Sequence, residues 1–182
     1  EGIEKRGGHF LVVIAPSKES TIPENLPSYY DNSIAIRSDY RDFAEGYKKN
    51  HIRYIDLSKY FREVKDMSSY QLFTKTGYHW SVYGASVAQD TILKYCQSLI
   101  AEPMPSYIRK GVEWSDTARD ADADFEDVMN LPFSLQQSSY VYPKLEMVES
   151  TLKNKRPKVI IIGDSFFWQI KNLKSLANIF SE

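Results

Sequence analysis

The sequence predicts a layered α/β domain built around a mainly parallel β-sheet. Two continuous apolar runs, at residues 9–15 and 159–162, have the length and β-branched content of buried parallel strands. Between them, apolar residues recur at spacings of three and four along residues 82–101, which indicates an amphipathic helix capped by Ser81. Strands that alternate with helices are typical of a parallel sheet covered by helices, so these observations favour that architecture.

The composition excludes several classes of function. The chain carries 23 basic and 24 acidic side chains without a basic run, so the sequence predicts no nucleic-acid partner. Its one cysteine, Cys96, allows neither an intrachain disulfide nor a cysteine metal cluster, and its helical spacing indicates a core residue. No window approaches 18 uninterrupted apolar residues, so no transmembrane segment is predicted within the chain.

The extent of the chain favours one domain over residues 1–182 that is incomplete at both ends. No signal peptide is visible, and a charged stretch runs straight into the first strand. The chain also ends soon after its last apolar strand, where a parallel sheet would be expected to continue. We therefore interpret the sequence as a piece of a longer protein.

Capping and turn signals predict the remaining elements. The acidic stretch 116–127 lacks the glycine and the final glutamate of an EF-hand loop, so we interpret it as a solvated turn and helix start, with a weak cation site as the alternative. The others are a loop over 16–37, a helix after Ser38 with Tyr40, Phe43 and Tyr47 on one face, a strand over 52–57, a helix over 58–65 and a helix over 166–180. The segment over 139–149 could be a strand or a helix, and its Tyr-Val-Tyr start and Pro143 favour a strand.

Ser165 is the first candidate for chemistry. It follows an apolar strand and Gly163-Asp164, so it lies at the carboxyl edge of the predicted sheet, where open α/β sheets bind their ligands. The start of the next helix would favour the negative charge that develops when a serine attacks an ester. The alternative is that these residues only cap that helix.

His79 is the best candidate for the base that a serine nucleophile needs. The chain has three histidines, and only this one lies in an ordered aromatic loop just ahead of the strongest helix. Trp80 beside it could shield the imidazole from water. The alternative is a histidine that packs within that loop.

Four segments together resemble the SGNH-hydrolase-like domain of the alginate O-acetyltransferase family, of the AlgJ and AlgX type. They are residues 12–18 (VVIAPSK), 22–27 (IPENLP), 76–81 (TGYHWS) and 161–166 (IIGDSF). The resemblance implies a flavodoxin-like layered fold in which the histidine precedes the serine, a circularly permuted motif order.

The resemblance also implies roles for individual residues. Ser165 would be the nucleophile and His79 the general base, while Gly163 and Asp164 would shape the turn around the nucleophile. Weaker candidates for substrate binding are Lys18, Tyr78 and Trp80, with Lys18 either meeting an anionic sugar or only capping a turn.

One departure from the family pattern concerns the acid that orients the histidine. The family has an aspartate two residues before the histidine, and this chain has Gly77. Loss of such a carboxylate can cost about 10⁴-fold in rate. Either another acid such as Asp116, Asp122 or Asp124 replaces it, the enzyme uses a Ser–His dyad, or catalysis has been lost.

The expected function is therefore that of an extracytoplasmic O-acetyltransferase or acetylesterase acting on a polysaccharide, without metal or organic cofactor. The resemblance implies a periplasmic location, a membrane-bound partner that supplies acetyl groups, and an anchor outside this chain. The first alternative is a degenerate module of the same fold that binds a glycan through some of its tyrosines and tryptophans. The second is a plain carboxylesterase for small esters.

Overall fold

The computed structural model describes residues 2–29, 39–135, 139–148 and 156–181. The chain divides into two compact units, Glu1–Met67 and Ser68–Glu182, and the described elements form a mixed α/β structure. The first unit contains a two-stranded parallel sheet and the second a two-stranded antiparallel sheet. None of the helices in these described ranges is long and apolar enough to cross a membrane.

The first unit is built on strands β1 (Val12–Ile14) and β2 (Tyr54–Asp56), which pair in parallel. Its helices are α1 (Lys18–Thr21), α2 (Asp39–Lys49) and α3 (Leu57–Val64), with short 3₁₀ turns at Glu4–Arg6 and Pro23–Asn25. The carboxylate of Asp56 caps α3 by accepting the Lys59 N–H at 2.8 Å. Leu57 and Phe61, one turn apart on α3, are fully buried and anchor this unit's core.

The first unit matches the predicted order of elements with two differences. The expected strand over 9–15 is shorter, and the expected loop over 16–37 contains α1, because Ser17 caps it by accepting the Ser20 N–H at 3.2 Å. The rest of that loop over 30–37, and the expected cap Ser38 of α2, lie outside the described residues.

The second unit is organised around helix α4 (Val82–Leu99), which contacts strand β4 (Tyr140–Met147) and helix α6 (Ser165–Asn172). Strand β4 pairs antiparallel with β3 (Tyr107–Ser115). Two shorter helices, α5 (Asp124–Met129) and α7 (Leu176–Ile179), complete the unit. Its core cluster joins the first residue of α4 to the start of β4 through Val82, Tyr140 and Tyr142.

The second unit confirms the predicted helix after Ser81 and the favoured strand within 139–149, and it differs from the sequence predictions in three respects. Strand β3 was not predicted, because Gly111 and scattered charges interrupt its alternation. The expected helix over 166–180 is two helices, since Lys174 lies in the left-handed region with φ of 59° and ends the first. Cys96 was expected in the core but is only half-buried on α4, and this burial raises the pKa of its thiol.

The expected buried strand over residues 159–162 is wrong. Ile160 and Ile162 are 93% and 97% exposed, and the segment joins no sheet among the described residues. A strand needs a neighbour for its backbone groups, and the described strands of this unit, β3 and β4, pair with each other. The described pairing near this segment is a single parallel bridge between Lys158 and Ser181.

The start of α4 is fixed by a close approach that only glycine permits. A Cβ on Gly84 would lie 2.3 Å from the carbonyl oxygen of Leu72, a backbone atom that cannot rotate away. The same region is held by the Ser81 N–H, which donates to that carbonyl at 2.8 Å. The glycine therefore lets α4 begin against the loop that carries His79.

We expect Gly84→Ala to lower the free energy of unfolding by roughly 2 kcal/mol, because overpacking at a rigid contact costs about 1–3 kcal/mol. Gly46→Ala in α2 is the matched control, since nothing lies within 4 Å of the added methyl group. That control should gain about 0.5–1 kcal/mol from helix propensity. Urea unfolding of both variants measures the difference, and equal stabilities would contradict the close approach.

Candidate functional site

Three side chains of the second unit form a continuous hydrogen-bonded chain. The hydroxyl Oγ of Ser165 lies 2.7 Å from His79 Nε2, and the other ring nitrogen, Nδ1, is hydrogen-bonded to the carboxylate of Asp124. A carboxylate only accepts, so His79 Nδ1 carries the proton and Nε2 accepts from the Ser165 hydroxyl. Ser165 is exposed, so a substrate can reach the end of this chain.

Ser165 is positioned by the start of helix α6. It is the first residue of the helix, and the carboxylate of Asp164 caps the helix by accepting the Phe166 N–H at 3.0 Å. Gly163 allows a close approach, since a Cβ there would lie 2.8 Å from Phe167 Cβ. The Phe166 N–H is taken by this cap and the Phe167 N–H donates to the Asp164 carbonyl at 3.1 Å. Among the described residues the Ser165 N–H has no recorded acceptor, so it is the donor at this helix start that remains for an anion beside the Ser165 hydroxyl.

His79 is held by the loop between residues 74 and 81 and by aromatic neighbours. Its ring contacts Phe166 edge-on with centroids 4.7 Å apart, and Tyr78 at 5.4 Å. Trp80 is 2% exposed and contacts Phe166 at 5.2 Å, while its backbone forms an antiparallel bridge with Phe73. The imidazole is thus packed on apolar rings on one side and open to Ser165 on the other.

Asp124 begins helix α5 and uses both carboxylate oxygens at the site. Oδ1 accepts the backbone N–H of Tyr78 at 2.6 Å, and Oδ2 is bonded to His79. These two bonds fix the carboxylate relative to the residue before the histidine as well as to the ring itself. The geometry therefore holds the imidazole in one tautomer and one orientation.

Gly77 explains why the acid comes from a separate segment. A Cβ at this position would lie 2.5 Å from Thr74 Oγ1 and 2.8 Å from the carbonyl oxygen of Ala121. The space that a side chain would need is occupied by the backbone of the segment that leads to Asp124. Of the three acids considered from the sequence, Asp124 is the one that reaches His79.

Asp122, two residues before Asp124, is 1% exposed. Its carbonyl oxygen accepts from Thr74 Oγ1 at 2.6 Å and from Thr76 Oγ1 at 3.2 Å, and its Oδ1 accepts the Val82 N–H at 3.1 Å. Burial raises the pKa of the Asp122 carboxyl to about 7, although the Val82 N–H acts in the opposite direction. Asp122 therefore ties the segment before Asp124 to the start of α4.

The described residues provide no evident metal centre. No group of three His, Cys, Asp or Glu side chains within the described ranges is arranged to hold a metal ion. The chemistry that the arrangement supports is proton transfer between a serine hydroxyl and an imidazole, with a carboxylate behind the ring.

Comparison with known proteins places the chain in a family. A family model described as the SGNH hydrolase-like domain of acetyltransferase AlgX matches residues 1–174. The chain belongs to this family. A comparison with curated proteins finds no match.

A solved structure shows a similar fold. The O-acetyltransferase domain of Pseudomonas putida AlgJ is 22% identical, with a TM-score of 0.50, over 80% of this chain and 51% of that chain. The chain thus spans about half the length of that structure. At this identity the likeness supports the fold of an SGNH-hydrolase-like domain.

The other residues singled out in the sequence of this AlgX-family domain have different positions. Tyr78 is 47% exposed beside His79, so its ring is accessible to a ligand. Trp80 is buried, which contradicts a direct contact with substrate, because its ring packs against Phe166. Lys18 is the first residue of α1 in the first unit, and Asp116 is exposed without a described contact to His79.

Sequence reasoning could not select Asp124. The stretch 116–127 offers several acids, and the choice depends on the contacts of residues 121–122 with the loop around Gly77. One local feature favours Asp124: it begins a short helix, and the helix holds its side chain in a defined direction. That signal alone does not distinguish it from Asp122.

We expect the stability of the protein to fall as pH rises from about 4 to about 7 because of Asp122. Its folded pKa is raised from 3.8 to about 7, so the native state binds the proton more tightly, and stability is lost as the unfolded state ionises first. The loss is of the order of a few kcal/mol.

Asp122→Asn should remove this part of the pH dependence, because an amide keeps an acceptor for the Val82 N–H without ionising. Urea unfolding at several pH values between 4 and 8 measures both proteins. Asp116→Asn, at an exposed carboxylate, is the matched control and should keep the wild-type slope. Parallel curves for wild type and Asp122→Asn would contradict this assignment.

Proposed function

We propose that this domain transfers acetyl groups through an acyl-enzyme on Ser165, with His79 as general base and Asp124 as the acid that orients it. The observation that supports this proposal is the hydrogen-bonded chain from Asp124 through His79 to Ser165. Membership of the AlgX acetyltransferase family supports the same reaction class. Of the three possibilities that Gly77 left open in the sequence, this proposal adopts the first, in which another acid replaces the family's aspartate.

The first half of the reaction forms the acyl-enzyme. His79 Nε2 removes the proton of the Ser165 hydroxyl as Oγ attacks the carbonyl carbon of an acetyl ester. The Ser165 N–H and the dipole of helix α6 stabilise the oxyanion of the tetrahedral intermediate. His79 then gives its proton to the departing oxygen, and acetyl remains bonded to Ser165.

The second half releases the acetyl group. A sugar hydroxyl attacks the acyl carbon while His79 takes its proton, and collapse of the second tetrahedral intermediate returns that proton to Ser165 Oγ. Water in place of the sugar hydroxyl would give acetylesterase activity by the same steps. Asp124 stabilises the imidazolium that forms in each half. This sequence of steps calls for no metal or organic cofactor.

Membership of the family supports a proposal for the acceptor and the donor. We infer that the acceptor is a polysaccharide at the cell surface or in export, and that a membrane-bound protein supplies the acetyl group outside the cytoplasm, with any anchor beyond this chain. The exposed ring of Tyr78 beside His79 is suited to stacking on a sugar. Lys18 stays a weaker candidate for substrate contact.

The degenerate glycan-binding module is the alternative. The feature that favoured it was Gly77 in place of an orienting acid. Because the carboxylate of Asp124 occupies the position behind the imidazole, that feature no longer argues for lost catalysis. We therefore favour the enzyme.

Ser165→Ala tests the nucleophile. The wild-type protein should hydrolyse 4-nitrophenyl acetate above the buffer rate, and the variant should lose at least about 10³-fold in kcat/KM because no acyl-enzyme can form. Mass spectrometry of the wild type after rapid quenching should show one added acetyl group on Ser165. A wild type that is inactive in both measurements would favour the binding module.

Asp124→Asn tests the orienting acid. We expect kcat for the same ester to fall by about 10²–10⁴ with little change in KM, because the amide favours the wrong tautomer of His79. Asp116→Asn is the matched control, and circular dichroism should show that both variants are folded. Equal kcat values for the two variants would indicate a Ser–His dyad.

A further inference from the structure

A groove of about 340 Å³ opens at the end of helix α5 that follows Asp124. The chain turns there because Asn130 adopts the left-handed conformation, with φ of 46°. The carboxylate of Glu126 then accepts from Ser134 Oγ and from the Leu135 N–H, both at 2.7 Å. These bonds hold the segment after the turn against the helix and so fix the shape of the groove. Its lining consists of Glu126, Asp127, Asn130, Leu131, Pro132, Phe133 and Ser134.

The lining combines an exposed aromatic ring with polar groups that have capacity for hydrogen bonds. Phe133 is 63% exposed. Across the described part of the chain, neither the Asp127 carboxylate nor the Asn130 side-chain amide has a recorded hydrogen bond or ion pair. Sugars present C–H faces that pack on aromatic rings and hydroxyls that donate to carboxylates and amides. The groove therefore matches carbohydrate better than a purely apolar or purely ionic ligand.

The charge of the lining restricts the kind of carbohydrate. Glu126 and Asp127 contribute two carboxylates, and the lining residues include no Lys, Arg or His. A uronic acid residue placed beside them would meet like charge, whereas an uncharged sugar would meet acceptors for its hydroxyls. The lining thus favours a neutral glycan over a polyuronate.

The groove is connected to the site by one short helix. Asp124, bonded to His79, is the first residue of α5, and Asn130 at the groove is its C-cap. Six residues of α-helix span about 9 Å, so a chain of several sugar rings could occupy both places.

We propose that this groove binds a neutral oligosaccharide stretch of the acceptor polysaccharide, next to the sugar that receives the acetyl group. This inference rests on the proposed function and adds the substrate class and its binding residues. The two carboxylates of the lining favour an uncharged glycan as the acceptor.

Binding is tested with Ser165→Ala protein, which cannot form the acyl-enzyme. Calorimetry with neutral hexasaccharides of β-linked glucose, mannose and N-acetylglucosamine should find at least one that binds about five-fold or more tightly than hexamannuronate at low salt. The difference should narrow as salt is added. Adding Phe133→Ala should weaken neutral binding by about five-fold, and adding Asp127→Asn should reduce the discrimination against hexamannuronate.

Val128→Ala is the matched control, because Val128 is on the same helix, 82% exposed, and does not line the groove. It should leave glycan binding unchanged. The proposal is overturned if no neutral hexasaccharide binds more tightly than hexamannuronate, or if Phe133→Ala binds like Val128→Ala. Ester hydrolysis by the wild type is a separate measurement. A protein that binds neutral glycan but hydrolyses no ester would refute the proposed function and still support glycan binding in the groove.

Discussion

The site depends on the contact between two segments that are far apart in sequence, residues 74–77 and 121–124. Thr74 and Thr76 donate side-chain hydrogen bonds to the carbonyl oxygen of Asp122, and the Gly77 N–H donates to Thr74 Oγ1 at 2.9 Å. This packing is close enough that residue 77 has no room for a side chain. It brings Asp124 within reach of the next two residues, Tyr78 and His79. Because residue 77 is glycine, the family's acid is missing from this loop, and the segment that carries Asp124 can pack in its place.

Two aspartates separated by one residue have different environments as a result. Asp122 is buried, and burial is the main reason that its pKa is raised to about 7. Asp124 accepts two hydrogen bonds at the edge of the site, one of them from the imidazole. The nearby Asp124 also raises the pKa of Asp122, because negative charges close together repel, so Asp122 holds its proton towards neutral pH. Asp122 therefore ties two segments together from a buried position, whereas Asp124 contacts the imidazole at the edge of the site.

The sequence was sufficient for features that depend on local physics. The periodicity of α4, its cap Ser81 and the start of α6 at Ser165 follow from spacing and capping chemistry. What it did not yield depends on distant contacts. The apolar run over 159–162 has the composition of a buried strand, but composition does not supply a neighbouring strand, and Ile160 and Ile162 are exposed. The choice of Asp124 required the approach of residues 121–122 to Gly77, which no local pattern encodes.

Because the acid comes from a separate segment, the proposed catalytic site and the groove share one structural element. In a motif where acid and histidine are two residues apart, their geometry is set within one loop. Here the acid begins α5, and the C-cap of this six-residue helix, Asn130, lines the groove. A ligand in the groove can move Asp124 only if it binds one arrangement of α5 more tightly than another. The difference in binding free energy limits how far the population shifts. Because Asp124 is also fixed by the Tyr78 N–H, the hydrogen bonds at its carboxylate oppose such a shift. The acid and the groove can therefore share a helix while the imidazole keeps its orientation.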